Sequence, residues 1–353
     1  MLESTFDSAR SCSLESTFDQ SAPHALCQPS PQARELLTLG RYFKARFGQR
    51  VRKIPITLQG FTCPNIDGTL AKGGCIYCCN ESFSPSAIKV PKVDSSPTMR
   101  PHLSTNPLLP KQLSQLEEQF LWHTEFHRRK FSVQKYMVYF QSYTNTYAPL
   151  ETLQALFSKA LGFANVVGLS IGTRVDCVDS RVLAMLGEFV KNGAEIWLEY
   201  GVQSVFDETL KRINRAHTTQ GIKELFAATR ASGVKVCAHL IYGLPGEDSE
   251  MMLHSLQKVL EWGIDGIKIH PLYVIEGTPL ARMYHASRYI PIDLESYADL
   301  IIKSIQLLPP EVVIHRISAS AHEESLLAPK WCFDKNIQMR LLRERLLEIG
   351  VVY

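Results

Sequence analysis

The sequence predicts an α/β protein built around a parallel sheet. Two observations carry this expectation. Apolar runs of strand length, such as residues 166–171 and 234–242, alternate with longer stretches whose apolar positions recur at helical spacing. The segments between successive strands are long enough for right-handed crossovers, which either close a parallel sheet into a barrel or leave it as an open twisted sheet. Periodicity does not choose between these two. Both put chemistry at the carboxyl ends of the strands.

In chain order, residues 1–34 read as a poorly ordered leader. It carries a short repeat, Leu2-Glu3-Ser4-Thr5-Phe6-Asp7 and Leu14-Glu15-Ser16-Thr17-Phe18-Asp19, too short for a solenoid unit. Residues 35–47 read as a helix, 51–58 as a strand and 63–79 as a Gly- and Cys-rich loop. Prolines at 85, 91, 97, 101, 107 and 110 make 85–110 a long inserted loop. A helix over 111–130, with Leu113, Leu116, Phe120 and Leu121 near helical spacing, leads to a strand at 135–140. Helices follow at 149–161, 179–191, 207–216, 219–231 and 249–262, with strands at 165–171, 195–200, 234–242 and 266–272. Ser232-Gly233 closes the helix before the third of these strands. A helix at 294–308 ends a core spanning 35–310, and 311–353 adds a strand at 312–317 and a helix at 335–349.

Composition bounds the function classes. The 353 residues are 45% hydrophobic and 21% charged, which excludes a wholly disordered, collagen-like or small disulfide-stapled chain. No apolar run approaches the roughly 20 residues of a membrane helix, and the first residues lack a basic-then-apolar signal pattern. The expectation is a cytoplasmic protein without membrane partners. A net charge of +3 is too near neutral to argue for nucleic acid. Nine cysteines, clustered and odd in number, point to metal or redox chemistry and not to disulfides.

The informative segment is Gly60 to Cys78. Cys75 and Cys78 form C-x-x-C, and Cys63 lies upstream beyond a loop whose bends Gly68, Gly73 and Gly74 supply. Three thiolates on a [4Fe–4S] cluster leave one iron open. Tetrahedral zinc needs a fourth ligand, and adjacent Cys79 would be strained as one. A thioredoxin-type dithiol accounts for Cys75 and Cys78 but not for Cys63 or the glycines. All three readings stay open on the residues alone.

The spacing Cys63-x11-Cys75-x2-Cys78, with Tyr77 before the last cysteine, resembles the stretched form of the radical S-adenosylmethionine (radical SAM) signature. Phe61-Thr62-Cys63-Pro64-Asn65 and Gly73-Gly74-Cys75 resemble the YhcC-like branch, which is related to the Elongator catalytic subunit and to oxygen-independent coproporphyrinogen oxidase. Later blocks match as well, among them Gln141-Ser142-Tyr143-Thr144-Asn145, Glu199-Tyr200-Gly201-Val202-Gln203-Ser204 and Lys268-Ile269-His270-Pro271-Leu272.

The resemblance implies a partial (β/α)6 TIM-type barrel with short N- and C-terminal extensions. It implies an enzyme whose [4Fe–4S] cluster cleaves S-adenosylmethionine to a 5′-deoxyadenosyl radical, with Cys63, Cys75 and Cys78 as ligands. Tyr77, Thr144, Asn145, Gln203, Arg215 and the turn Gly243, Leu244 and Pro245 are then expected around S-adenosylmethionine. Flavodoxin or ferredoxin is the implied electron donor. Two carboxylates of the porphyrin-oxidising relatives are missing: Gly172-Thr173 and His239 stand at those places, which turns the expectation away from porphyrins.

For substrate, residues 41–53 hold six basic residues and no acid, interleaved with Tyr42, Phe43 and Phe47. That pattern suits phosphates and splayed bases, and equally a solvated amphipathic helix followed by an edge strand. With the Elongator resemblance it points to tRNA, modified at a wobble uridine. The alternatives are a small-molecule or protein substrate, or a zinc-binding module without activity.

Overall fold

A computed structural model of the chain describes residues 33–79, 99–321 and 325–353. The short N-terminal repeat and most of the Pro-rich loop lie outside these residues. Seven parallel strands form one curled sheet in the order β2-β3-β4-β5-β6-β7-β9. They are β2 (Val51–Ile56), β3 (Lys135–Phe140), β4 (Val166–Thr173), β5 (Glu195–Gln203), β6 (Lys235–Tyr242), β7 (Gly266–Pro271) and β9 (Val313–Arg316). Each strand is linked to the next by at least one helix, and strand order follows chain order, so the sheet winds in one direction as a half-barrel. The sequence predicts six core strands with the 312–317 strand in an extension. In the structure that strand is the seventh of the same sheet, pairing in parallel with β7.

Alternation decides what each face holds. Ile196, Leu198, Tyr200 and Val202 of β5 and Val236, Ala238, Leu240 and Tyr242 of β6 face outward into the main core beneath the helices. Helix starts follow side-chain caps. Asp179, Asp248 and Asp293 accept backbone N–H groups at the heads of α4 (Ser180–Lys191), α7 (Ser249–Glu261) and α9 (Leu294–Leu307), a contribution of about 1 kcal/mol each.

One local expectation is corrected, and one pairing lies outside what local reading offers. The helix predicted from residue 35 begins at Leu39, because Thr38 caps α1 (Leu39–Phe47) while β1 (Arg34–Glu35) pairs with β11 (Val351–Val352) near the chain's end. An antiparallel pair, β8 (Val274–Ile275) with β10 (Leu326–Ala328), joins segments far apart in sequence and carries no local signal.

Candidate functional site

The inside of the curled sheet is filled in layers. At the amino ends of the strands Val51, Met137, Trp197, Cys237 and Val313 close an apolar floor with Phe43 of α1. Tyr42 packs edge-on against Trp197, with centroids 5.7 Å apart, and its hydroxyl donates to Glu195 at the start of β5. Arg46 also pairs with Glu195. The basic–aromatic stretch therefore seals the end of the barrel opposite the cysteine loop. Its aromatic rings are spent on packing.

Above the floor lies a charged layer that sequence reading does not single out. Glu199 of β5 is fully buried. Its carboxylate accepts from Lys268 Nζ at 3.0 Å, from His239 Nε2 at 2.8 Å, and from Lys53 Nζ and the Ser170 hydroxyl. Lys268 Nζ also donates to Tyr139 at 2.9 Å. Burial alone pulls the Glu199 carboxyl up. Lys268 and Lys53 outweigh it and hold the group well below its ordinary range. Burial, reinforced by Lys268, keeps His239 neutral, with its pKa brought down to about 3. The signal was available in outline, since Glu199, His239 and Lys268 interrupt apolar strands at positions facing one side.

The third layer is a cavity of about 210 Å³ at the carboxyl ends of the strands. Cys63, Cys75, Tyr77, Cys78, Thr144, Gln203 and Arg215 all line it, as the resemblance implies. The cysteine loop leaves β2 through a backbone held by α2 (Leu109–Phe131). Gln119 exchanges two hydrogen bonds with the Thr57 backbone, Gln112 donates to Gln59 O, and Gln59 N donates to Gln115. Gly73 and Gly74 turn it back at φ of 81° and 73°, left-handed backbone that favours glycine. It then docks on the segment after α5 (Asp207–Arg212). Asn214 Nδ2 donates to Lys72 O and Gly74 O, Asn65 Nδ2 to Asn214 O, and Ile76 N to Ile213 O.

The thiols sit in distinct fields. Burial pushes Cys63 up, although Thr144 Oγ1 lies 2.7 Å from its sulfur. Burial also opposes ionisation of Cys75. The Arg215 guanidinium, 3.6 Å from that sulfur, and Asn65 Nδ2 at 3.4 Å prevail and lower it. Arg215 Nη2 donates to Gly201 O at 2.7 Å. A Cβ at Gly201 would lie 2.6 Å from that same nitrogen, so glycine there is what admits the arginine. Arg174, buried, grips Asp176 with two hydrogen bonds of 2.7 and 2.6 Å and leaves Nη1 without a partner. The Tyr77 hydroxyl is buried and unpartnered too.

Other expected residues stand behind the cavity wall. Asn145 Nδ2 donates to Phe140 O and Gly172 O and so clamps β3 to β4. Leu244 lies in the apolar cluster against which Ile76 and Tyr77 pack. Tyr289 donates to Gly243 O and Arg212 to Pro245 O, fixing that turn. Cys79 packs with a separate cluster around Tyr273 and Ile275.

The donor set fits a [4Fe–4S] cluster. Three thiols of one loop face one cavity beside unpartnered donors. Among the described residues no three His, Cys, Asp or Glu side chains converge as they would on a single ion, whereas the irons of a cluster sit at separate corners.

Comparison with known proteins bears on the whole chain. The Radical SAM superfamily model matches residues 71–259, and the Radical_SAM C-terminal domain model matches 264–348. Protein YhcC of Escherichia coli K12 is 40% identical over 306 residues, covering 87% of this chain and 90% of that protein. Elongator complex protein 3 of Saccharomyces cerevisiae is 30% identical over 168 residues, covering 46% of this chain and 29% of that protein. The structure of the archaeal Methanocaldococcus infernus Elp3 superposes with a TM-score of 0.59 at 18% identity, covering 85% of this chain and 63% of that one, which shows a shared fold. Among the described residues no helix is long and apolar enough to cross a membrane. The chain belongs to the radical SAM superfamily, in its YhcC-like branch, and is a radical SAM enzyme. Such enzymes generally use a [4Fe–4S] cluster, S-adenosylmethionine and a reducing electron donor.

Proposed function

We propose that this enzyme holds its cluster on Cys63, Cys75 and Cys78, binds S-adenosylmethionine in the adjoining cavity, and acts on tRNA at a wobble uridine. The observation that carries the first two parts is the opening of all three thiols onto one cavity lined by Arg174, Gln203 and Arg215. Reductive cleavage of S-adenosylmethionine to a 5′-deoxyadenosyl radical is the chemistry that cluster and cofactor supply when bound. The chain's own residues do the positioning. The free Nη1 of Arg174 offers a donor to a carboxylate, and the Arg215 guanidinium, held by Gly201 O and Cys75, adds positive charge beside it. Thr144 and Gln203 offer small polar contacts, and Tyr77 shields the loop. Asn145 and the turn Gly243, Leu244 and Pro245 hold the wall in place from behind. Flavodoxin or ferredoxin supplies the electron.

Support for tRNA comes from the similarity to Elongator complex protein 3 over almost half of this chain. The basic–aromatic stretch gives none, since it floors the barrel. Nucleoside analysis of tRNA from cells lacking the gene tests the substrate. Loss of one wobble-uridine modification, restored by the wild-type gene and not by Cys75→Ala, is expected. An unchanged nucleoside profile would overturn the tRNA reading and leave a small molecule or protein as substrate.

A further inference from the structure

Arg316 ends β9 and lines the cavity from the sheet edge opposite the cysteine loop. Its direction comes from an irregularity in pairing. Ile267 pairs with Ile314 but Lys268 pairs with Arg316, so His315 is an extra residue in β9. In a regular strand Arg316 would face outward with Ile314. A bulge turns consecutive side chains to one face. His315 packs edge-on against Trp197 inside the barrel, centroids 4.5 Å apart, and Arg316 joins the cavity wall above it.

No described residue accepts from any of the five N–H donors of Arg316 or pairs with its charge. The other arginines of the cavity are held in place, Arg174 by Asp176 with only Nη1 left over and Arg215 by Gly201 O and Cys75. Beside Arg316, Lys268 spends two of its three N–H groups on Tyr139 and Glu199 and keeps the third. Among the described residues Glu199 is the one carboxylate in the cavity wall, and it already faces both Lys53 and Lys268. His270 adds no donor, because its Nδ1 gives its hydrogen to Pro271 O at 2.6 Å. Among the described residues the far wall therefore carries more positive than negative charge, in a partly desolvated place, with a guanidinium fork shaped for two oxygens.

We propose that Arg316 and Lys268 form a subsite for an anionic group of the substrate, a carboxylate or a phosphate, held across the cavity from the cysteine loop. The inference rests on reading this cavity as the chamber where substrate meets S-adenosylmethionine. It adds that the substrate presents an oxyanion there.

The test is calorimetric titration of the oxidised holoenzyme, saturated with S-adenosylmethionine so that the carboxylate of that cofactor is already placed. Inorganic phosphate and acetate are the probes, each at constant ionic strength. One of them should bind, and the tighter one identifies the oxyanion. Arg316→Gln should weaken that binding at least tenfold, and Arg316→Lys should restore part of it. Cluster absorbance and substrate-independent release of 5′-deoxyadenosine should match wild type in both variants. Absence of binding by either anion, or equal binding by Arg316→Gln, would overturn the subsite while leaving the cofactor assignment intact. Loss of 5′-deoxyadenosine release in Arg316→Gln would overturn it differently, by placing Arg316 in the cofactor site.

Discussion

The two edges of the sheet face each other across one cavity and are built from different materials. The β2 edge feeds a loop whose cysteines, glycines and Asn65 lie within about twenty residues, and backbone hydrogen bonds fold it onto itself. The β9 edge has no such loop. Its cations come from strands remote in sequence, Lys268 and Arg316, and a single bulge aims one of them inward. The near edge is thus local chemistry on a scaffold. The far edge exists only because the sheet curls far enough for its ends to share a cavity.

Breaking the near edge should have the largest effect. Cys63→Ala, Cys75→Ala or Cys78→Ala should each abolish the brown chromophore of anaerobically reconstituted protein and all 5′-deoxyadenosine formation. Cys79→Ala should keep both, since that side chain packs in another cluster. Iron and sulfide analysis decides the matter, and a full cluster without Cys63 would sink the ligand assignment.

Glu199 ties the edges together, with Lys53 from β2 and Lys268 from β7 on one carboxylate. Removing its charge strands the buried Lys268 ammonium and the partly buried one of Lys53. Glu199→Gln should cost about 3–5 kcal/mol in denaturant unfolding. Near-wild-type stability would show that the two edges fold without this link.

The far edge should also announce itself by pH. Lys268 sits among Glu199, Arg316, Lys53, Tyr139, Cys237 and His239, and burial lowers its pKa to about 8. Its charge is therefore present below that pH and lost as pH rises through it. Anion binding at Arg316 should fall about tenfold, or roughly 1.4 kcal/mol, between pH 7 and 9. His239 and His270, both lowered to about 3 by burial, should contribute no break between pH 5 and 7. A histidine-like transition in that range would contradict the arrangement.

The smallest effect is expected at the floor. Changing Arg46, Arg50 and Arg52 together to Ala should leave tRNA affinity and its salt dependence near wild type, because these residues lie at the closed end. A salt slope reduced by about two or more would return the stretch to a role in RNA binding, since each lost phosphate contact on single strands changes it by about 0.7.

Much of this molecule is legible from its residues in order. Strand and helix alternation and the cysteine loop with its turning glycines are local, so propensity and spacing report them. The floor shows where such reading stops. Six cations among aromatic residues describe an RNA-binding strip as well as a plug, and packing of Tyr42 against Trp197 with pairing of Arg46 to Glu195 shows that these two side chains serve the plug.

The parallel α/β class, the cysteine loop and the family are legible from residue order, because each depends on neighbours along the chain. What faces the inside is settled by packing at long range. Glu199 with its two lysines and His239, the three glutamines of α2 on the loop's backbone, and the unpartnered Arg316 all depend on strand register and sheet curvature. A one-residue shift reverses every side chain of a strand, and in β9 such a shift is what brings Arg316 to the cavity.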